Sequence, residues 1–182
     1  MSAPPMILLA LALSFVAFAG SPTPAHAQSA FQPTRGPRII LGRRHPGRIT
    51  GLSDSGIVVD LKDGGTQTVQ FNEIWRIRRA FAYDEPPGTT VIDFADNRLF
   101  VATPIATVVD DAAKKIPLVQ FTAPNRETVY MAAEKVTDIS NSIPGLHNPL
   151  SKSVIGTRDG AQQVVEAADS ARRMVTDAHT AP

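Results

Sequence analysis

From Arg38 onward, turn residues interrupt this chain about every eight to twelve positions, a spacing that leaves room for short strands and little else. The first β-type runs are Arg38–Gly42, Gly47–Leu52, Ile57–Lys62, Thr66–Phe71 and Trp75–Arg79. Ser53-Asp54-Ser55-Gly56 and Asp63-Gly64-Gly65 separate the middle runs with residues that tolerate tight backbone. Alternation sets the faces: Ile57, Val59 and Leu61 lie opposite Val58 and Asp60, and Val69 and Phe71 opposite Thr68 and Gln70. Only Asn72–Ile74 separates the last two runs. This is the plan of a small SH3-like or Sm-like β-barrel, a likeness of fold that carries no function.

Tyr83-Asp84-Glu85-Pro86-Pro87-Gly88 reads as a linker, because its prolines and glycine stop a strand. β-type runs resume at Thr90–Ala95, Arg98–Thr103, Ile105–Asp110, Leu118–Thr122, Glu127–Ala132 and Lys135–Ile139, with Asp96-Asn97 as a hairpin turn. Aligning Val59 with Val119 also places Thr68 and Val69 on Thr128 and Val129, and a short insertion then brings Ile74 and Ile77 onto Val136 and Ile139. The second β segment therefore reads as a diverged copy of the first, or as an unrelated meander of similar spacing. Arg158 to Ala178 reads as a helix, with Val164, Ala168, Ala171 and Val175 as its apolar stripe.

The expected fold class is mostly β with a C-terminal α-helix, built from one or two small SH3-like or Sm-like barrels as a possible tandem duplication. Its divisions are an export signal over 1–27, a lead-in over 28–37, a barrel-like module over 38–83, a linker over 84–89 and a second β module over 90–140. A loop over 141–156, the amphipathic helix over 157–178 and a tail over 179–182 complete the chain.

The N-terminus predicts export. Met6–Ala19 is a continuous apolar run, followed by a Pro-rich break and Ala25-His26-Ala27, whose small residues suit signal cleavage after Ala27. MSAPP lacks the usual Lys or Arg, and the alternative is an uncleaved anchor. The run is shorter than the roughly 20 residues that span a bilayer, and no later segment is long enough to do so. The chain has no Cys, so neither disulfides nor a lipidated cysteine are available. A bacterial periplasmic or secreted location follows, reached by a Sec-type signal.

Candidate chemistry is sparse. His45, His147 and His179 sit in loop or tail contexts without partners at metal-ligand spacing. No Gly-x-Ser-x-Gly elbow, phosphate loop or calcium loop occurs. Asp93, Asp96, Asp110 and Asp111 read as solvated carboxylates. The expectation is no catalytic residue, no metal and no cofactor.

Charge is the uneven feature. The net charge is +1, against a strongly basic nucleic-acid binder, yet residues 35–83 hold nine Lys+Arg against four Asp+Glu, while 84–182 hold nine against thirteen. Arg43, Arg44 and Arg48 bunch near one strand start and Arg76, Arg78 and Arg79 in another. Strand parity places Arg76 and Arg78 together, opposite Trp75 and Ile77, where two guanidiniums on a solvent face can clamp anionic groups. These six arginines are the expected partner-binding residues of a non-catalytic interaction or scaffold module that meets an acidic envelope protein or surface. The alternative is a binder of an anionic envelope ligand such as phospholipid, lipopolysaccharide or cell-wall glycan, and a hydrolase is the third reading. Oligomeric state is not legible.

Overall fold

The computed structural model describes residues 39–62 and 65–180, and the export signal and lead-in read from the sequence lie outside them. The first strands are β1 (Ile39–Leu41), β2 (Arg48–Leu52), β3 (Gly56–Asp60) and β4 (Thr66–Gln70), then a 3-10 turn at Phe71–Glu73 and β5 (Ile74–Arg79). β6 (Thr90–Phe94), β7 (Asn97–Val101) and α1 (Ile105–Ala113) follow. β8 (Leu118–Thr122), β9 (Thr128–Ala132), a second 3-10 turn at Ala133–Lys135, β10 (Val136–Asn141), β11 (Ser153–Thr157), β12 (Ala161–Val164) and α2 (Ala168–Thr180) complete the order.

The strands form open sheets, so the expected closed barrel is not formed among the described residues. The central sheet runs β1-β7-β6-β5-β9-β8, and two three-stranded sheets, β2-β3-β4 and β10-β11-β12, stand apart from it. One face of the central sheet offers Ile77, Ile92 and Leu99 to Ile57, Val59 and Val69 of β3 and β4 and to Val108 and Ala112 of α1. Its opposite face carries Val119, Phe121, Val129 and Met131 against Ile155, Val164, Ala171 and Val175 from β11, β12 and α2.

From β3 onward the second half repeats the first, element for element, while β1 and β2 have no counterpart in it. A single offset, the one that carries Gly56 onto Leu118, takes β3, β4, the 3-10 turn and β5 onto β8, β9, the second 3-10 turn and β10 with matching ends. One further step carries β6 onto β11 and Ile105, the first residue of α1, onto Ala168, the first of α2. The registers follow: Ile77 faces Ile92 as Ile139 faces Ile155, and both pairs of strands shift register at the same place, between Ile74 and Arg76 and between Val136 and Asp138. Loop bonds repeat as well. Phe71 N–H donates to Ser55 C=O as Ala133 N–H does to Pro117 C=O, and Ala80 N–H to Thr89 C=O as Ser142 N–H does to Lys152 C=O. The structural counterpart of Val59 is thus Phe121, and the sequence alignment onto Val119 falls two short over β3 and β4. A slip of two keeps every side chain on its face, so apolar parity cannot detect it.

Several expectations change. Ile105–Asp110 is helical: Pro104 precedes the helix, and Val108 and Ala112 lie four apart on its buried side. The predicted helix from Arg158 begins only at Ala168, because Gly160 closes a β11–β12 hairpin that takes up Val164. The predicted loop over 141–156 ends inside β11. The predicted boundary at 84–89 falls between β5 and β6, adjacent strands of one sheet, so this stretch is a cover for that sheet rather than a hinge between modules.

Repeat-equivalent positions give a test. Ile77 is fully buried on a strand paired on both sides, whereas Ile139 is half-buried on a strand paired on one. Ile77→Ala is expected to cost about 2–5 kcal/mol, and Ile139→Ala clearly less, as read by urea unfolding. Equal losses would contradict the two strands' different surroundings.

Candidate functional site

The sequence marks Arg76 and Arg78 as a pair on one face of β5, and the structure keeps them together but buries them, at 8% and 3% exposure. The correction follows from the second layer. A lone strand shows which side chains share a face, not whether another part of the chain covers that face. Here β12 and the 80–88 segment cover it.

Cross-strand register assembles the charges. Arg76 on β5 faces Asp93 on β6, and Asp93 faces Arg98 on β7, so three charged side chains lie in one row across three strands. Asp93 accepts from Arg76 Nε at 2.8 Å and from Arg98 Nε at 2.6 Å. Arg76 Nη1 donates to Gln162 Oε1 on β12 at 2.6 Å, which ties the second repeat to the first. One residue pair along, Arg78 forms a two-pronged bond with Glu85, its Nη1 at 2.8 Å from Oε2 and its Nη2 on Oε1. Glu85 Oε2 also accepts the Phe81 and Ala82 amides at 3.0 and 3.1 Å, and Arg98 Nη1 reaches Oε1 at 3.2 Å. Arg76 stacks over the Trp75 ring and Arg78 over Phe81, each at 4.4 Å from the ring centre.

Three guanidiniums against two carboxylates leave one positive charge in excess. Burial alone pushes the Glu85 carboxyl up, but the Arg78 hydrogen bonds and charge, with the two amides, outweigh it and hold the group at about 2. Burial likewise opposes ionisation of Asp93, and Arg76, Arg98 and Arg78 together draw its pKa below the ordinary carboxylate value. For Arg76, burial lowers the pKa more than Asp93 raises it.

Asp93, expected as a solvated carboxylate, is instead buried at 1% exposure, and Glu85 and Arg98 are not singled out by the sequence. The hairpin loop is Ala95-Asp96, one residue earlier than the predicted Asp96-Asn97, and that single step places Asp93 opposite Arg98. An acidic residue inside the mostly apolar run of β6, five positions before an arginine, is the available signal. Trp75 also departs from parity: the bulge between Ile74 and Arg76 puts it on the arginine side, against Gly160, where a Cβ would come within 2.7 Å of the ring.

The other arginines stay at the surface. Arg43, Arg44 and Arg48 are exposed around the start of β2, and Arg43 pairs with Asp84 at 2.8 Å. Their backbone is held firmly, since Gly47 N–H donates to Phe100 C=O and Ala102 N–H to Gly47 C=O. Gly42 sits at φ +71, where a Cβ would meet Phe100 O at 2.5 Å, so only glycine suits that turn. Gly47 bridges Val101, Val101 faces Thr90 and Thr90 faces Arg79. Arg79 therefore stands three strand spacings, about 15 Å, from Gly47 at one end of the sheet. There it lines a cleft of about 470 Å³ with Thr89, Thr90, Ile105 and Glu127.

The histidines and remaining carboxylates stay apart. His45 and His179 are exposed, His147 Nδ1 accepts the Ile143 amide at 2.8 Å, and Asp111 pairs with Lys114 on α1. Among the described residues no group of His, Asp or Glu is placed to hold a metal, and no helix is long and apolar enough to cross a membrane. No family model, curated protein or solved structure matches the chain.

The network predicts acid sensitivity of known sign. Because the folded pKa of Glu85 lies near 2 against an ordinary 4.5, its ion pairs stabilise the fold above the ordinary value, and that contribution is lost as pH falls from 4.5 towards 2. Glu85→Gln should flatten the fall in urea midpoint across that window, and an unchanged slope would place the acid sensitivity elsewhere. Asp93→Asn leaves buried guanidiniums uncompensated and is expected to cost about 3–5 kcal/mol.

Proposed function

We propose that the protein is a non-catalytic, exported interaction module, whose scaffold presents Arg43, Arg44, Arg48 and Arg79 to an acidic protein of the cell envelope. The observation that carries this reading is the grouping of exposed arginines at one end of the central sheet, Arg43 and Arg44 on the glycine-locked backbone between β1 and β2, Arg48 at the start of β2 and Arg79 at the end of β5. Arginines carried on a fixed backbone lose less freedom on meeting carboxylates than arginines on a free loop. The two buried carboxylates support a non-catalytic role, because Asp93 is paired with three arginines and Glu85 with two. Arg76 and Arg78, buried in the ion-pair network, are not part of this contact surface. Within each repeat, the hairpin, 3-10 turn and meander keep the element order of a small SH3-like or Sm-like barrel, and we read each as an opened form of that plan.

The probes are poly-glutamate and vesicles containing phosphatidylglycerol, offered to the full chain and to Arg44→Glu/Arg48→Glu. Wild type is expected to bind poly-glutamate in a salt-sensitive manner. The double variant should lose at least about tenfold in affinity, roughly 1.4 kcal/mol, with its melting temperature unchanged. Binding to vesicles alone would replace the acidic protein by an anionic lipid. No binding to either probe at low salt would overturn the reading.

A further inference from the structure

The repeat exposes a pairing that the chain makes once and leaves open once. The central sheet joins the first repeat to the second through β5 and β9, with Arg76 facing Met131, Ile77 facing Tyr130 and Arg78 facing Val129. The equivalent of β5 in the second repeat is β10, and the equivalent of β9 in the first is β4. Both are edge strands: β10 ends the sheet β10-β11-β12, and β4 ends β2-β3-β4. The same junction is thus half-built at each end of the molecule.

We propose that the protein associates head to tail with a second copy of itself, β10 of one copy adding antiparallel to β4 of the next. The register follows when each residue of the β5–β9 ladder is replaced by its repeat equivalent. Asp138 then faces Val69, Ile139 faces Thr68 and Ser140 faces Gln67. The product is a six-stranded sheet that unites the two three-stranded ones.

The backbone directions fit this pairing. Ala80 N–H bonds towards β6, so Arg78 and Arg76 also face β6 and Ile77 turns to β9. Ser142 N–H bonds in the same way towards the β11 side, so Ser140 and Asp138 face β11 and Ile139 turns its peptide groups outward. On the other edge Phe71 N–H bonds towards β3, so Val69 and Gln67 face β3 and Thr68 turns outward. The two residues that would meet at the centre of the new ladder are therefore the two whose backbone groups already point out. Both of their carbonyls take a side-chain donor: Arg172 Nη2 bonds Ile139 C=O, and Gln67 Nε2 bonds Thr68 C=O at 3.0 Å. Arg172 is half-exposed, so it can withdraw to solvent when a strand arrives. Neither strand contains the Lys or Pro that commonly blunts a sheet edge. Because β10 and β4 are different surfaces, the contact is heterologous, and it closes into a ring or continues as a chain of copies.

The absence of cysteine makes the register directly readable. In an antiparallel ladder Ser140 and Gln67 form a non-hydrogen-bonded pair, with Cα atoms about 4.5 Å apart, within disulfide reach. The full chain carrying both Gln67→Cys and Ser140→Cys is oxidised and run on a non-reducing gel beside each single variant. The expected result is covalent rings or a ladder of copies from the double variant, and at most dimers from either single variant. Sedimentation of the wild-type chain is expected to show association that grows with concentration. Thr68→Pro should abolish it while the monomer stays folded by circular dichroism, since the lost N–H points away from β3. A disulfide formed within one chain, no more linkage than in the single variants, or association unaffected by Thr68→Pro would each overturn the proposal. This inference stands apart from the arginine surface: Arg44→Glu/Arg48→Glu should leave self-association intact.

Discussion

The buried row of Arg76, Asp93 and Arg98, with Arg78 and Glu85 beside it, ties strands β5, β6 and β7 to β12 and to the segment between β5 and β6. It lies where an apolar sheet face would ordinarily continue, on the side occupied elsewhere by Val129, Met131 and Phe121. Taking guanidiniums and carboxylates out of water costs several kcal/mol per ion, and their mutual attraction offsets this only when the remaining donors and acceptors are filled. Here the filling comes from distant segments. Gln162 arrives from β12, Glu85 from the stretch between β5 and β6, and the Phe81 and Ala82 amides from the same stretch. One buried donor, Arg78 Nε, is left without a hydrogen bond, 3.8 Å from Asp93 Oδ2, so the network fixes the arrangement of these segments more than it adds net stability.

This accounts for the difference between the two repeats. Positions equivalent to Arg76, Arg78 and Asp93 are Asp138, Ser140 and Gly156, and they lie on a three-stranded sheet with a free edge. The first repeat buries its charges under β12 and its own 80–88 segment, whereas the second has a carboxylate, a hydroxyl and a glycine at the corresponding places. Gly156 fits its own surroundings too, since a Cβ there would run into the Asp138 carboxylate. One strand order thus serves as an interior junction in one copy and as an open end in the other.

Much of the strand order was legible because turn chemistry and alternation are local. Leu118–Thr122 is met to the residue, and the other runs that became strands fall within three positions at either end. What failed depended on non-local partners. Ile105, Thr107, Val108 and Val109 are β-branched and look like a strand, yet Val108 and Ala112 find a core that holds them as a helix. Val164 fits a helical stripe equally well until β11 is there to pair with β12. The shared face of Arg76 and Arg78 was readable from strand parity. Their burial was not, because it required a hairpin loop one residue earlier, a bulge at Trp75 and a covering strand 86 positions away. The glycine-locked turn that displays Arg43, Arg44 and Arg48 is a further case: the residues were visible, but the closeness of Gly42 to Phe100 was not.

The charged row and the β5–β9 ladder together should bind both repeats into one cooperative body. Trp75 is the sole tryptophan and packs with the second repeat's core while lying on a strand of the first. The most direct measurement is urea unfolding followed at once by Trp75 fluorescence and by far-ultraviolet circular dichroism. Coincident transitions with one midpoint are expected. Two separated transitions, with Trp75 exposed before most of the secondary structure is lost, would show that the repeats part independently and would contradict that expectation.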